Sequence, residues 1–133
     1  MEMNEVLQFL TDNPTFYLAT TDGTIPRVRP FGVALKFDGR LCFCTNNQKN
    51  VYQQLKANPH FEVAVTAKNG EWLRLQGKAV FNTSRESKQA ALAAAPVLSK
   101  IYTVDDPAFE TFYIDQAEAT FSNLQGSSRT VKF

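Results

Sequence analysis

The chain has 133 residues, of which 44% are hydrophobic and 20% are charged, a composition typical of an ordinary globular domain. Its formal net charge of +1 argues against a broad electrostatic attraction to nucleic acid or to an anionic membrane. No apolar run is long enough to cross a bilayer, and the first residues lack the basic and apolar segments of a signal peptide. We therefore expect one cytoplasmic domain over residues 1–133 that binds neither membrane nor nucleic acid.

The first third of the chain predicts a helix followed by an antiparallel meander. Apolar residues at helical spacing indicate a helix over residues 3–12. Two Asp-Gly dipeptides, at residues 22–23 and 38–39, are turn signals between runs that are typical of strands. The three strands of the predicted meander are residues 16–20, 27–37 and 41–45.

The rest of the chain adds strands joined by short turns and two further helices. A helix is predicted to end near Asn58, and an alanine-rich helix over residues 88–95. Ser84 is its candidate N-cap, but Ser87 stands where a capping box needs Glu or Gln, so we expect an incomplete cap. The further predicted strands are residues 61–66, 72–81, 117–124 and 129–133. This pattern predicts a mainly β (α+β) fold, a split antiparallel β-barrel of six or seven strands with peripheral helices.

Residues 26–31, Pro-Arg-Val-Arg-Pro-Phe, are unusual for a strand. The two prolines cannot donate to a ladder, which indicates an edge strand, a bulge, or backbone left free for a ligand. Arg27 and Arg29 share their parity with Phe31, so an unbroken strand would turn both guanidinium groups toward the apolar face. Either a bulge changes the register after the arginines, or they meet an anion there. A bulged strand start with two solvated arginines is the purely structural alternative.

Cysteine and histidine offer little for metal binding or nucleophilic catalysis. Cys42 and Cys44 would lie side by side on one strand face, a poor geometry for a disulfide, and no further ligands stand at zinc spacing. We expect free, mostly buried thiols. His60 is the only histidine, so a Ser-His-Asp triad or a histidine-based metal site is hard to build.

Residues 45–50 join the third predicted strand to the next helix. The free amide groups of a helix N-terminus attract anions, and Thr45, Asn46 and Asn47 offer capping and hydrogen-bonding side chains. Lys49 places a cation in the first turn, where the helix dipole disfavours it by about 0.3–1 kcal/mol. A phosphate bound at the helix start would explain this conflict. The alternative is a plain capped helix with a solvated lysine.

Pairing within the predicted meander would bring these two features together. The start of the second strand would lie beside the end of the third, because one hairpin joins them. Arg27, Arg29 and Lys49 would then gather around one helix N-terminus. This arrangement suits a phosphorylated small molecule whose flat apolar body lies along the backbone of residues 28–31.

These features resemble the pyridoxamine 5′-phosphate oxidase-like family of FMN-binding split barrels, and more closely its small nitroimidazole reductase-like branch. The resemblance covers nearly the whole chain. Its matching stretches are residues 16–20, 26–32, 41–50, 58–59 and 72–77. The Arg-Val-Arg-Pro element together with the downstream Thr-Asn and Lys-Asn pairs is the more specific signal.

The resemblance implies a homodimer with two FMN sites at the subunit interface and a small-molecule substrate. The residues that it places at the cofactor are Arg27, Val28, Arg29, Pro30, Phe31, Cys44, Thr45, Asn46, Lys49, Asn50 and Trp72. Residues 27–31 would follow the isoalloxazine ring and ribityl chain, and the residues after the third strand would hold the phosphate. Trp72 would approach the flavin from the second subunit. Asn50 stands where family members often have a second basic residue, which predicts a weaker hold on the phosphate.

The implied function is an FMN-dependent oxidoreductase that passes electrons from a reduced nicotinamide to a small organic acceptor, such as a nitroaromatic compound. The chain ends without the longer C-terminal region with which pyridoxamine phosphate oxidases hold their substrate, so vitamin B6 oxidation is not expected. The alternatives are a deazaflavin-dependent reductase, a non-catalytic flavin-binding or sensing protein, and a barrel that binds another ligand without flavin. No side chain stands out as a general acid; His60 and Tyr102 are weak candidates.

Overall fold

The computed structural model describes residues 2–133, in which one antiparallel sheet is accompanied by three α-helices. The helices are α1 (Glu2–Asp12), α2 (Asn50–Ala57) and α3 (Arg85–Ala94), and a short 3-10 helix spans Pro96–Lys100. The strands are β1 (Phe16–Asp22), β2 (Ile25–Phe31), β3 (Ala34–Phe37), β4 (Arg40–Asn46), β5 (His60–Thr66), β6 (Trp72–Phe81), β7 (Phe109–Ser122) and β8 (Ser128–Lys132). Within residues 2–133 no helix is both long and apolar enough to cross a bilayer.

The eight strands follow the order β2-β1-β5-β6-β7-β4-β3, and β8 pairs with the far half of β7. β2 and β3 are consecutive in the chain, yet they lie at opposite edges of the sheet. No ladder joins them, so the sheet has a split-barrel arrangement that is not closed into a barrel. The predicted fold class is confirmed, with eight strands instead of six or seven.

The predicted meander is wrong at its middle strand. Residues 27–37 form two strands: β2 pairs with β1 along its whole length, whereas β3 pairs with β4. Gly32 and Val33 lie outside both ladders and carry the chain from one sheet edge to the other. Apolar residues keep the same alternation on both sides of this break, so the sequence pattern predicts one continuous strand.

Strand β7 organises the sheet and is longer than predicted. It begins at residue 109 instead of 117 and pairs with β6 along one side. Along its other side it pairs first with β4 and then with β8. Between these two partners Gln116 has a φ of 52°, which interrupts the strand alternation. The sequence pattern therefore predicts only the second half of β7.

The core lies on the inward face of the sheet and is rich in phenylalanine. Phe43 stacks on Phe112 with ring centroids 5.5 Å apart and meets Phe16 and Phe61 edge-on, each at 5.9 Å. Helix α1 adds its buried residues to the same cluster. A smaller cluster lies between β3, β4 and α3, on the other face of β4. This packing fixes β1, β4 and α2, the elements that frame the site described next.

Helix α3 begins earlier than predicted and is fully capped. The Ser84 hydroxyl accepts from the Ser87 N–H at 3.0 Å, and the Ser87 hydroxyl accepts from the Ser84 N–H at 2.9 Å. The expectation of an incomplete cap is therefore wrong, because a serine hydroxyl can take the place of the longer Glu or Gln side chain.

Candidate functional site

Strand β2 presents its arginines on the inward side of an edge strand. Its register with β1 runs without a shift from Phe16 opposite Phe31 to Asp22 opposite Ile25, so the predicted bulge alternative is wrong. The edge-strand interpretation is confirmed, because β2 ends the sheet order. An edge position tolerates two prolines, since one side of the strand forms no ladder.

Arg29 is half-buried and bound only to neutral oxygen atoms. Its Nη1 donates to the Leu18 carbonyl at 3.1 Å and to Thr20 Oγ1 at 2.8 Å, and its Nη2 donates to Gln54 Oε1 at 2.6 Å. The Thr20 hydroxyl in turn donates to the same Gln54 oxygen at 2.6 Å. Burial, and then the charge of Arg27, lower the pKa of Arg29. This network fastens α2 to β1 and β2 and leaves the guanidinium charge without a carboxylate among the described residues.

Arg27 differs from Arg29 because it has an acidic partner. Its Nε lies 3.3 Å from Asp22 Oδ2, across the turn between β1 and β2. Both side chains are 50% exposed, so the pair contributes only about 0.2–1 kcal/mol. A ligand anion could therefore compete for Arg27 at small cost.

Helix α2 begins without a side-chain cap. Lys49 is its N-cap residue, with an extended backbone and no capping hydrogen bond. The predicted capping groups are engaged elsewhere: Asn46 Nδ2 donates to the Tyr102 hydroxyl at 2.7 Å, and Asn47 Nδ2 donates to Glu110 Oε2 at 2.8 Å. The side-chain cap of the plain capped helix that the sequence left open is therefore wrong, whereas the solvated lysine of that alternative agrees with the exposed Lys49. Among residues 2–133 no side chain accepts from the first amide groups of α2.

A groove of about 940 Å³ lies between β2 and the start of α2. Its lining includes Arg27, Val28 and Arg29 from one side and Lys49 and Asn50 from the other. The three cations thus line one groove, although the fold does not bring them there by the predicted strand pairing. α2 packs against β1, the neighbour of β2, whereas β2 and β4 form no ladder.

A smaller pocket of about 160 Å³ continues past Lys49, which lines both spaces. Its lining comes from the end of β2, the end of β4 and the segment after α3, and consists of Phe31, Gly32, Val33, Cys44, Thr45, Lys49, Leu98, Ile101 and Tyr102. The Thr45 side chain is buried, and its Oγ1 is the one buried side-chain oxygen or nitrogen of residues 2–133 without a hydrogen-bond partner. Burial raises the pKa of the Cys44 thiol to about 11, against the opposing charge of Lys49, so the thiol is protonated at neutral pH.

The remaining candidates lie apart from these two spaces. Trp72 begins β6, opposite Thr66 and Ser122, and lines neither groove nor pocket. His60 lines another cavity, of about 500 Å³, which shares Thr21 with the groove. Cys42 and Cys44 are both free, as predicted. No group of three metal-ligand side chains occurs in the described part of the chain.

Sequence reasoning missed the two residues that hold Arg29 in place. Thr20 left a weak signal, because it is a polar residue at a position that alternates with the buried Phe16 and Leu18. Gln54 gave none, since a single polar residue in a short helix is ordinary. The contact depends on how α2 is docked on β1, which the sequence does not reveal.

Comparison with known proteins agrees with this architecture. The profile of the pyridoxamine 5′-phosphate oxidase family matches residues 3–123. A NimC/NimA family protein from Clostridium acetobutylicum is 37% identical, with a TM-score of 0.93 over 98% of this chain and 94% of that one. A protein related to general stress protein 26, from the same organism, is 18% identical, with a TM-score of 0.75 over 98% and 94% of the two chains.

A heme binding protein from Mycobacterium smegmatis is 17% identical, with a TM-score of 0.78 over 99% of this chain and 58% of that one. Together with the stress protein relative, its likeness shows the fold alone. Curated protein sequences give no match.

Proposed function

Because the chain belongs to the pyridoxamine 5′-phosphate oxidase family, we propose that its groove binds FMN and that the protein is an oxidoreductase acting on a small organic acceptor. The observation that carries this proposal is the charge of the groove. Arg27, Arg29 and Lys49 line it together, and Arg29 and Lys49 form no ion pair within residues 2–133. A phosphate dianion is the ligand that such a set of donors suits.

The donor set and the size of the groove both fit FMN. The uncapped start of α2 adds backbone amide groups and the positive end of the helix dipole to the cations. The groove volume of about 940 Å³ falls within the roughly 300–1,000 Å³ of typical small-molecule sites. We assign the phosphate to Arg27, Arg29, Lys49 and Asn50.

The free edge of β2 suits the flat part of the cofactor. An edge strand leaves backbone groups unpaired along its free side; Pro26 and Pro30 offer only their carbonyl oxygens, whereas non-proline residues can also offer N–H groups to the polar edge of a ring. We place the ring along Val28, Pro30 and Phe31. When bound, the flavin would supply the redox chemistry by taking hydride from a reduced nicotinamide and passing electrons to the acceptor. The chain itself would bind, orient and shield the reactants.

We further propose that the protein is a homodimer. Val28 is 67% exposed and Tyr17 is 50% exposed, and the register places both on the outward face of the two edge-side strands. A second copy seated there would remove this apolar surface from water. Trp72, which does not line the groove of its own chain, would then be available to a flavin bound by the partner.

A non-catalytic flavin-binding protein is the second candidate function. The observation that favours it is that the groove lining contains neither histidine nor cysteine and has Asp22 as its one carboxylate. Reduction of the bound flavin by a nicotinamide separates the two candidates.

The test begins with FMN titrated into the purified protein and followed by quenching of flavin fluorescence. Riboflavin, which lacks the phosphate, is the matched control ligand. We expect FMN to bind at least tenfold more tightly, because charged hydrogen bonds contribute about 1.5–3 kcal/mol each. Equal affinities for FMN and riboflavin would show that the groove does not bind the phosphate group.

The second stage measures chemistry and separates the cofactors. The FMN-loaded protein is mixed anaerobically with NADH or NADPH, and then with a nitroaromatic acceptor. Bleaching of the flavin absorbance followed by its return on addition of acceptor supports the oxidoreductase. Parallel titrations with a deazaflavin and with haem decide whether FMN is the preferred cofactor.

A further inference from the structure

We propose that Glu110 is a positioning residue for the groove: its carboxylate fixes the segment of residues 46–49 and thereby places Lys49 and the first amide groups of α2. This inference rests on the proposed function, because it concerns how the groove holds the phosphate. Glu110 lies near the start of β7, opposite Thr45 of β4, and lines neither the groove nor the small pocket. It would therefore act without touching the cofactor.

The two carboxylate oxygens of Glu110 join two separate parts of the chain. Oε2 accepts from Asn47 Nδ2 at 2.8 Å, and Oε1 accepts from the Thr83 hydroxyl at 2.7 Å. Glu110 forms no ion pair within residues 2–133, and both of these partners are neutral. An ionised acceptor makes shorter and stronger hydrogen bonds than a neutral one. The carboxylate therefore ties the segment before α2 to the segment before α3.

Asn47 is the residue through which this tie reaches the start of α2. Besides its bond to Glu110, its Nδ2 donates to the Pro107 carbonyl at 2.9 Å, and its backbone N–H donates to the Ala108 carbonyl at 2.8 Å. Its Oδ1 accepts from Gln48 Nε2 at 2.8 Å. Both protons of the Asn47 amide are thus used, and a flipped amide would place its oxygen against two acceptors. The orientation of the side chain is therefore determined.

Thr83 does not need the carboxylate to stay in place. Its hydroxyl accepts from the Thr111 N–H at 3.0 Å, and the Thr111 carbonyl lies 3.2 Å away as a second acceptor for its proton. The backbone N–H of Asn82 donates to the same carbonyl at 3.2 Å. Contacts independent of Glu110 thus tie the loop before α3 to β7. What the carboxylate adds is a second anchor for the Asn47 side chain.

The placement of Asn47 affects where Lys49 lies. The Lys49 N–H donates to the Asn46 carbonyl at 3.2 Å, so residues 46–49 form one tight turn. Lys49 is exposed and forms no ion pair within residues 2–133, so the backbone of this turn sets its position in the groove. Hydrogen bonds weaken steeply when donor and acceptor are misaligned. A displaced turn would therefore weaken the contacts of Lys49 and of the uncapped α2 amide groups to a phosphate.

Two substitutions separate the hydrogen bonds of Glu110 from its charge. Glu110→Ala loses both contacts. Glu110→Gln can keep both, because its amide oxygen can accept from Asn47 while its amide nitrogen donates to the Thr83 hydroxyl, whose proton then goes to the Thr111 carbonyl. If Glu110 acted through its charge alone, the two variants would behave alike, and both would bind an anion more tightly.

The first measurement titrates FMN and riboflavin into the wild-type protein and both variants, with Asp115→Ala, also half-buried on β7, as the control. We expect Glu110→Ala to weaken FMN about tenfold and riboflavin less than about twofold, since only FMN has the phosphate. Glu110→Gln and Asp115→Ala should stay within about threefold of the wild type for both ligands. With Lys49→Ala already present, Glu110→Ala should weaken FMN by only about threefold or less, because the two residues act on one contact.

The second measurement needs no cofactor. Hydrogen exchange of peptides containing residues 47–52 is followed by mass spectrometry on FMN-free protein. Exchange should be about tenfold faster in Glu110→Ala than in the wild type, and unchanged in Glu110→Gln, because the turn and the first helical turn lose an anchor only in the alanine variant. If Glu110→Ala does not fold, Asn47→Ala, which removes the same contact from the other side, takes its place.

The outcomes distinguish this inference from the proposed function. Unchanged exchange of residues 47–52 in Glu110→Ala, an equal loss of affinity for FMN and riboflavin, or a Glu110→Gln protein as impaired as Glu110→Ala would each overturn the positioning role. If the wild-type protein does not prefer FMN to riboflavin, the proposed function is wrong, and the exchange measurement alone then decides whether Glu110 fixes the segment before α2.

Discussion

Replacing Lys49 with serine should stabilise the cofactor-free protein and weaken FMN binding at the same time. Lys49 is the N-cap of α2 and has the extended backbone of a capping residue, but its side chain caps nothing. A serine hydroxyl at this position can accept from the free N–H of the second or third helical residue. The substitution also removes a cation from the positive end of the helix dipole.

The two effects can be given magnitudes. A new serine cap contributes about 1 kcal/mol, and removal of the misplaced charge adds roughly 0.3–1 kcal/mol. For a chain of 133 residues this gain of about 1–2 kcal/mol raises Tm by roughly 4–7 °C. The lost charged hydrogen bond to phosphate weakens FMN by about 1.5–3 kcal/mol, and the low end, roughly tenfold in Kd, is expected because Lys49 is exposed.

Two measurements on the same variant check this reasoning. Circular dichroism on FMN-free protein gives Tm, and quenching of flavin fluorescence gives the FMN affinity. Lys36→Ser, an exposed lysine on β3 outside the groove, is the control and should change neither value by much. A Lys49→Ser protein with lower Tm, or with unaltered FMN affinity, would refute the view that stability is given up at this helix start for phosphate binding.

Three further predictions concern the fold, a thiol and the assembly. Gly77→Ala should lower the free energy of unfolding, measured in urea, by about 1–3 kcal/mol. The reason is that the new Cβ would lie 2.6 Å from Ile114 Cγ1 and 2.7 Å from a backbone oxygen. Gly32→Ala is the matched control, because the nearest atom there is 3.7 Å away. Cys44 should resist iodoacetamide in the native protein at pH 8 and react faster only as the pH approaches about 11, as mass spectrometry can follow. Val28→Glu should convert the proposed dimer to a monomer, as analytical ultracentrifugation can measure. Thr130→Glu on β8 is the control and should leave the mass unchanged. A dimer in both variants would contradict the proposed interface.

The sequence pattern predicted most elements because their signals are local. β6 has the predicted bounds, and α1 differs from its predicted range by one residue. The break between β2 and β3 could not be predicted, because the alternation of apolar residues continues across Gly32. The first half of β7 was missed because the positive φ of Gln116 divides its alternation into two short runs.

Five of the eleven candidate site residues, the three cations among them, line one groove, but the sequence did not predict how the fold brings them there. Arg27, Arg29 and Lys49 were identified by local conflicts: arginines on an apolar face and a lysine at a helix start. The structure brings them together through the docking of α2 on β1, and Gln54 takes part in a contact 25 residues distant from Arg29 in the chain. Such a contact depends on the orientation of a whole helix, which local patterns do not encode.

The position of β7 in the chain has a consequence for synthesis on the ribosome. Strands β1, β2, β5 and β6 can pair with one another once residue 81 has left the exit tunnel. β4, however, finds no partner besides β3 until residues 109–113 emerge. Until then the nascent chain exposes one open edge of β6 and one of β4, and both are sites for pairing with other chains. Chaperone contact is therefore most needed while residues 82–108 are being translated.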